Sequence, residues 1–243
     1  MAAELRAISH TIPYPARTVV FVEGQAPPGV FILRRGQVKL SLRDFDGETL
    51  ILKVAHPGEV LALSDAVSGK NCQLRAETLG PCEIDFVERE HFLHFVQAHE
   101  EICLLVAMEL SNTFMSTNHW MGSLVLARWV APKVAYLLLD WARASGETRQ
   151  PVHLELLLTY EEIGQMVGAA RETVSRVLSD FQKKRLIRLH GSSLLILDRA
   201  SLAAIVKAGR KKSPGGRSRA LRQPACCPSN PAAPPARVPA AGA

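Results

Sequence analysis

The chain has 243 residues, of which 47% are hydrophobic and 21% charged. That is enough for two ordinary domains, each with its own core. No run approaches the roughly 18–20 apolar residues of a membrane helix, and Met1–Ile12 lacks the apolar stretch of a secretory signal, so a cytoplasmic protein with no membrane partner is expected. The net charge of +6 is unevenly placed: eight Lys/Arg and no Asp/Glu fall in 207–243, which leaves the first 206 residues at −2. The overall basicity therefore does not argue for a nucleic-acid partner. Local charge has to do that.

Residues 14–90 read as β structure. Short apolar runs (Val19–Val22, Val30–Leu33, Val38–Leu42, Leu50–Val54) are separated by Glu23-Gly24-Gln25, Pro27-Pro28-Gly29, Arg35-Gly36, Asp46-Gly47 and Pro57-Gly58. Many short strands at this rhythm predict a sandwich, jelly roll or barrel. Residues 89–145 read as helix. Cys103, Ala107, Leu110, Phe114, Thr117, Met121 and Leu124 recur at alternating spacings of four and three, a heptad seam suited to pairing with a second copy or to packing on the β domain. Pro132 predicts a break or hinge near Leu126–Pro132. A further apolar helix runs through Val134–Trp141 and ends at Ser145-Gly146-Glu147. A strand or loop is expected around Val152–Leu158. Beyond 206 the composition turns to Pro, Ala, Gly and basic residues, which cannot bury enough surface to fold, so 207–243 is expected to be a disordered basic tail.

The decisive stretch starts at Leu158. Thr159 followed by Glu162 is a capping box: the hydroxyl accepts from the Glu162 amide and the carboxylate reaches back. Ile163, Met166 and Val167 give this helix one apolar face, and Gly168 suits the left-handed residue that ends it. A second helix begins almost at once, so the pair forms a helix-turn-helix. At about 100° per residue, Val174, Val177, Leu178 and Phe181 fall on one side of the second helix. Arg171, Glu172, Ser175 and Arg176 fall on the other. Arg can bind guanine in bidentate fashion, Glu can accept from cytosine, and Ser can bond a base or a phosphate. The ordinary alternative for such residues is a solvated helix face. Leu186–Leu189 and Leu194–Leu197 around His190-Gly191-Ser192 predict a β-hairpin wing. Between Arg171 and Arg188 six basic residues face two acidic ones. Thr159, Lys183, Lys184 and Arg188 are the candidate phosphate contacts.

These residues resemble a known family. Thr159–Arg176, with Gly168-x-x-Arg171-Glu172-Thr173-Val174-Ser175-Arg176 and the following hairpin, is similar to the winged helix of the cyclic-AMP receptor protein and fumarate–nitrate regulator family. Phe21-Val22-Glu23-Gly24, Gly29–Leu33, Gly36-Gln37-Val38, Asp46-Gly47 and Pro57-Gly58-Glu59 resemble that family's cyclic-nucleotide-binding jelly roll. The resemblance implies an α+β protein: a jelly-roll sensor at 1–98, a dimerisation helix at 99–127 and a winged helix-turn-helix at 128–206. It implies a homodimer with a seam at Leu110, Phe114, Thr117, Met121 and Leu124. The expected operator is palindromic, with TGTGA-like half-sites read by Arg171, Glu172 and Arg176. The expected partners are double-stranded DNA, a second copy and RNA polymerase. Ala170 departs from the Ser common in the family and forgoes a helix cap.

The sensor half departs further. Ala62-Leu63-Ser64 stands where a Gly-Glu-Leu would hold the ribose, and Cys72-Gln73 stands near the place of the Arg-Ser pair that holds the phosphate. With no carboxylate and no guanidinium there, cyclic AMP is not expected to bind tightly. Leu63, Gln73, Arg75 and Asn118 remain the candidate effector residues. Cys72, Cys82, Cys103, Cys226 and Cys227 show no zinc or iron–sulfur spacing. A haem sensor would need an axial ligand from His56, His91, His94, His99 or His119, although a lone His is ordinarily a packed or surface residue. An enzyme built on a cupin-like barrel would need a His/Glu metal cluster, and residues 14–90 hold only His56, so an enzyme is not expected. The effector is left unknown. The main alternative is a ligand-sensing module that acts through protein partners.

Overall fold

The computed structural model describes residues 2–43, 46–127, 129–147 and 151–211. A short helix, α1 (Ala2–Ala7), precedes β1 (Ser9–Tyr14), so β structure starts earlier than the sequence pattern indicates. The remaining sensor strands are β2 (Val19–Phe21), β3 (Gly29–Arg35), β4 (Val38–Arg43), β5 (Thr49–Ala55), β6 (Val60–Leu61), β7 (Arg75–Thr78) and β8 (Cys82–Glu88). They form two four-stranded antiparallel sheets, ordered β1-β8-β3-β6 and β2-β7-β4-β5. This is the expected jelly roll. β1 lies at a sheet edge, which is where Pro13 is tolerated within a strand.

Alternation places Phe21, Phe31, Leu33, Val38 and Ile84 between the sheets. Phe31 stacks on Phe21 at 5.3 Å and tilts against Phe86 at 5.0 Å. A short helix, α2 (Leu63–Ser68), interrupts the expected run of strands. Its Leu63 and Ala66 pack with Val30, Val87 and Phe92 in a second small core.

The helical region is three helices rather than the expected two. They are α3 (Arg89–Ala98), α4 (Glu100–Leu126) and α5 (Val130–Ala144), with His99 extended between the first two. The expected break falls between Leu126 and Val130. Pro132 lies inside the first turn of α5, where its missing N–H leaves no helix bond unmade. Helix α5 therefore starts ahead of the Val134 read from the sequence.

The C-terminal part contains β9 (Val152–Glu155), α6 (Tyr160–Val167), α7 (Arg171–Lys183), β10 (Ile187–His190), β11 (Ser193–Ile196) and α8 (Arg199–Lys211). The wing is a three-stranded sheet ordered β10-β11-β9, one strand more than the expected hairpin. Helix α8 runs past the expected domain end at 206. Its Leu202, Ile205 and Val206 pack on the core, which holds that part of the supposed tail in a helix. The tail from 212 lies outside the described residues, as do Cys226 and Cys227.

Sensor and winged helix sit within one compact unit. The core of the winged helix, built on Val134, Leu137, Leu138, Ile163, Leu178 and Phe181, also takes in Ile51, Val54 and Leu79 from the sensor.

Candidate nucleic-acid interface

Helix α6 starts at a complete capping box. Thr159 Oγ1 accepts from the Glu162 amide at 3.1 Å, and Glu162 Oε2 accepts from the Thr159 amide at 2.8 Å. The helix ends at Gly168, which takes φ 64. The turn is tight enough that the Ala169 amide bonds the Gly164 carbonyl at 3.0 Å. A side chain at Gly164 would run into the Ala169 carbonyl oxygen, so this glycine sets the approach of α7. Helix α7 then starts at Ala170 with no side-chain cap.

On α7, Val174, Leu178 and Phe181 are buried against the winged-helix core, and Val177 is partly buried. Arg171, Glu172 and Arg176 are exposed, and Ser175 is partly covered beside them. The four candidate base-reading residues thus share one outward face at the start of the helix. Lys183 and Arg188 are exposed near its far end and on β10. Lys184 is exposed too, with its ammonium on Asp180 at 2.7 Å. Thr159 is exposed at the start of α6, where its hydroxyl accepts from the Glu162 amide and donates to the Glu162 carboxylate.

The four candidate effector residues do not meet in one pocket. Leu63 is buried in the small sensor core because its apolar side chain packs with Val30 and Phe92. Gln73 is exposed and donates its amide to the Asn71 carbonyl at 2.7 Å. Asn118 sits on an exposed stretch of α4. Arg75 lines a cavity of about 370 Å³ between the sensor sheet and α6, which Leu63, Gln73 and Asn118 do not reach. Lys39, Arg43, Glu77, Glu161 and Glu162 share it. Where the ribose-binding Gly-Glu would stand, Ala62 keeps a left-handed backbone at φ 57 but supplies no carboxylate. Cys72 is buried, with its backbone bonded to Gly24 and Gln25 at 2.8 Å each.

Burial pushes the Cys72 and Cys82 thiols up, which favours the protonated form. Among the described residues no group of three His, Cys, Asp or Glu is arranged around a metal position. His99 bonds Glu4 at 2.8 Å and packs on Phe95. His56 is held below its ordinary value by burial.

Along α4, the expected seam is only partly outward. Cys103, Ala107, Phe114, Thr117 and Met121 are exposed, but Leu110 packs on the chain's own sensor core together with Val106. Leu124 lies in α4, its side chain outside what the structure describes. Leu104, Leu105, Met108 and Met115 are exposed as well, so the open apolar face is rotated from the heptad read in the sequence.

Residues 11–99 match the cyclic nucleotide-binding domain family, and residues 132–205 match the Crp-like helix-turn-helix domain family. A "CRP-like cAMP-activated global transcriptional regulator" of Mycobacterium tuberculosis is 30% identical over 194 residues, covering 79% of this chain and 86% of that protein. The chain belongs to the CRP/FNR family of transcription regulators.

Like other CRP/FNR regulators, it joins a cyclic-nucleotide-binding-type sensor to a helix-turn-helix DNA-binding domain. The "cAMP-activated global transcriptional regulator CRP" of Pasteurella multocida is 27% identical over 190 residues, 77% of this chain and 90% of that protein. The fold matches FixK2 from Bradyrhizobium japonicum with TM-score 0.73 at 20% identity, over 82% of this chain and 97% of the other. It also matches a CRP/FNR-family transcriptional regulator from Thermus thermophilus with TM-score 0.66 at 21% identity, over 82% and 98%. Among the described residues no helix is long and apolar enough to cross a membrane.

The sequence alone located the outward face of α7. It missed Arg17, Lys39 and Gly164. Periodicity carries no signal for an ion pair between residues far apart in the chain.

Proposed function

We propose that the protein binds a palindromic operator as a homodimer, with the start of α7 of each copy in the major groove. The supporting observation is the division of α7: Val174, Leu178 and Phe181 anchor it, and Arg171, Glu172 and Arg176 face outward with Ser175 beside them. These side chains read base edges. Lys183, Lys184 and Arg188 contact phosphates, which position the domain without specifying sequence. The half-sites are TGTGA-like and about 34 Å apart, so both recognition helices must match at once. A second copy of α4 covers the exposed apolar face that includes Phe114 and Met121. RNA polymerase is the further partner.

The sensor answers to something other than cyclic AMP at the usual site. The ribose carboxylate and the phosphate guanidinium are missing there, and Leu63 fills core space instead. Calorimetry is expected to show no binding at micromolar cyclic AMP; a micromolar or tighter constant overturns this part. Selection of bound sequences from a random duplex pool tests the main reading. Recovery of TGTGA-like inverted repeats is expected, lost with Arg171→Ala plus Arg176→Ala in a folded protein. An unrelated consensus overturns the half-site assignment.

A further inference from the structure

Helix α6 is tied to the sensor by one carboxylate. Glu162 Oε1 accepts from Lys39 Nζ on β4 at 2.7 Å and from Arg17 Nη1 in the β1–β2 connection. Its other oxygen stays in the capping box with Thr159. Arg17 also donates to the Leu157 carbonyl at 3.1 Å, just ahead of α6. Its backbone holds φ 59, a conformation a non-glycine residue rarely adopts, pinned by its amide bond to the Thr78 carbonyl at 2.9 Å. The network continues into the sensor. Lys39 pairs with Glu77 at 3.0 Å, and Glu77 approaches Arg75 at 3.6 Å. Lys39, Glu77 and Glu162 side chains are each less than 20% exposed.

The apolar part of the same interface, Ile51, Val54 and Leu79 against the winged-helix core, attracts without direction. Charge-assisted hydrogen bonds have direction. Buried ion pairs often add little net stability, and a role in selecting one arrangement is their best-attested use. The arrangement matters here because the β4–β5 hairpin, through Leu42, Arg43 and Leu50, shares an open cleft with Arg171 and Glu172 at the start of α7. A tilt of α6 against β4 would move those residues directly.

We infer that Arg17, Lys39 and Glu162 are positioning residues that lock the winged helix to the sensor sheet and set the direction in which α7 meets DNA. The inference rests on the DNA-binding role proposed above. Because Glu162 also starts α6, any movement of β4 or β7 passes to the reading unit through a side chain that is part of that unit's own fold.

The test uses the full chain with Arg17→Ala plus Lys39→Met, which leaves the capping box whole. Glu162→Gln is a second variant, since Gln also serves in a capping box. Dyes are placed at Ser68→Cys and Ser192→Cys after the exposed and C-terminal cysteines are changed to Ser. The labelled chain is diluted with unlabelled chain, so that each dimer carries one pair. The native ties are expected to give one narrow distance distribution, and both variants a distribution at least about twice as wide, with unchanged circular dichroism. Operator affinity is expected to fall about tenfold, as the competent orientation becomes a minority, and the salt slope to stay the same, since no phosphate contact is lost. An unchanged distribution overturns the inference. So does a broadened one with unchanged affinity, or an affinity loss with a shallower salt slope. If the unmodified protein shows no sequence preference, the operator reading fails on its own, and the distance measurement still decides the lock.

Discussion

At Glu162 opposing effects can be weighed. Burial pushes its carboxyl up, but hydrogen bonds from Arg17, Lys39 and the Thr159 backbone, with the Lys39 charge, hold it at about 2. Its folded value lies below its unfolded value of 4.5. Its stabilisation is therefore complete above pH 4.5 and lost as pH falls towards about 2. The amount is on the order of 3 kcal/mol at most, less some screening because Arg17 is partly exposed. Urea unfolding at pH 5.5 and pH 3 should show the native protein losing more stability between the two than Glu162→Gln. Equal losses would mean that other carboxylates carry the acid sensitivity. The reading residues differ in what they should affect. Arg171→Ala or Arg176→Ala should each cost about 1–3 kcal/mol per half-site and relax specificity at the corresponding position of both half-sites. Lys183→Ala should weaken all sequences alike and reduce the salt slope by about two, one for each copy in the dimer. Titration of matched and mismatched duplexes at several salt concentrations separates these outcomes.

Helices α6 and α7 show how much a sequence can disclose about an element. The Thr159–Glu162 box, Gly168 and the apolar side of α7 were legible because caps and 3.6-residue periodicity are local rules. The place of β9 in the wing was not: the sequence left Val152–Leu158 as strand or loop, and the pairing with β11 spans some forty residues. Gly164 was hidden for a similar reason. Its role is a contact with the Ala169 carbonyl, and within α6 it reads only as a weak helix former. Two substitutions probe this unit in opposite directions. Ala170→Ser supplies the missing cap of α7 and should add about 1 kcal/mol. Gly164→Ala has better helix propensity but crowds the turn, and should cost about 1–3 kcal/mol. Thermal or urea melts check both signs. A stabilised Gly164→Ala would mean that the turn relaxes without penalty.

At the scale of the molecule, the order of sensor, long helix and winged helix was legible, but the way the parts face one another was not. Leu110 illustrates the limit. A heptad count puts it in the seam with Phe114 and Met121, yet in the fold it turns with Val106 onto the sensor core. A helix shared between two surfaces satisfies two periodicities at once, and counting cannot assign each residue to its side. The exposed set Leu104, Met108, Phe114, Met115 and Met121 is the apolar surface left over. If a second α4 covers it, charges placed there should separate the protomers without unfolding either sensor. Phe114→Glu with Met115→Glu should therefore give a folded monomer in sedimentation. The same variant should lose most of its affinity for the full palindrome and keep its affinity for a single half-site, because each α7 still presents Arg171 and Arg176. The palindrome's advantage comes from linking two binding events, so it should vanish with the dimer. A variant that stays dimeric would place the pairing surface elsewhere. One that becomes monomeric yet keeps the palindrome's advantage would mean that the two reading helices are coupled through DNA rather than through α4.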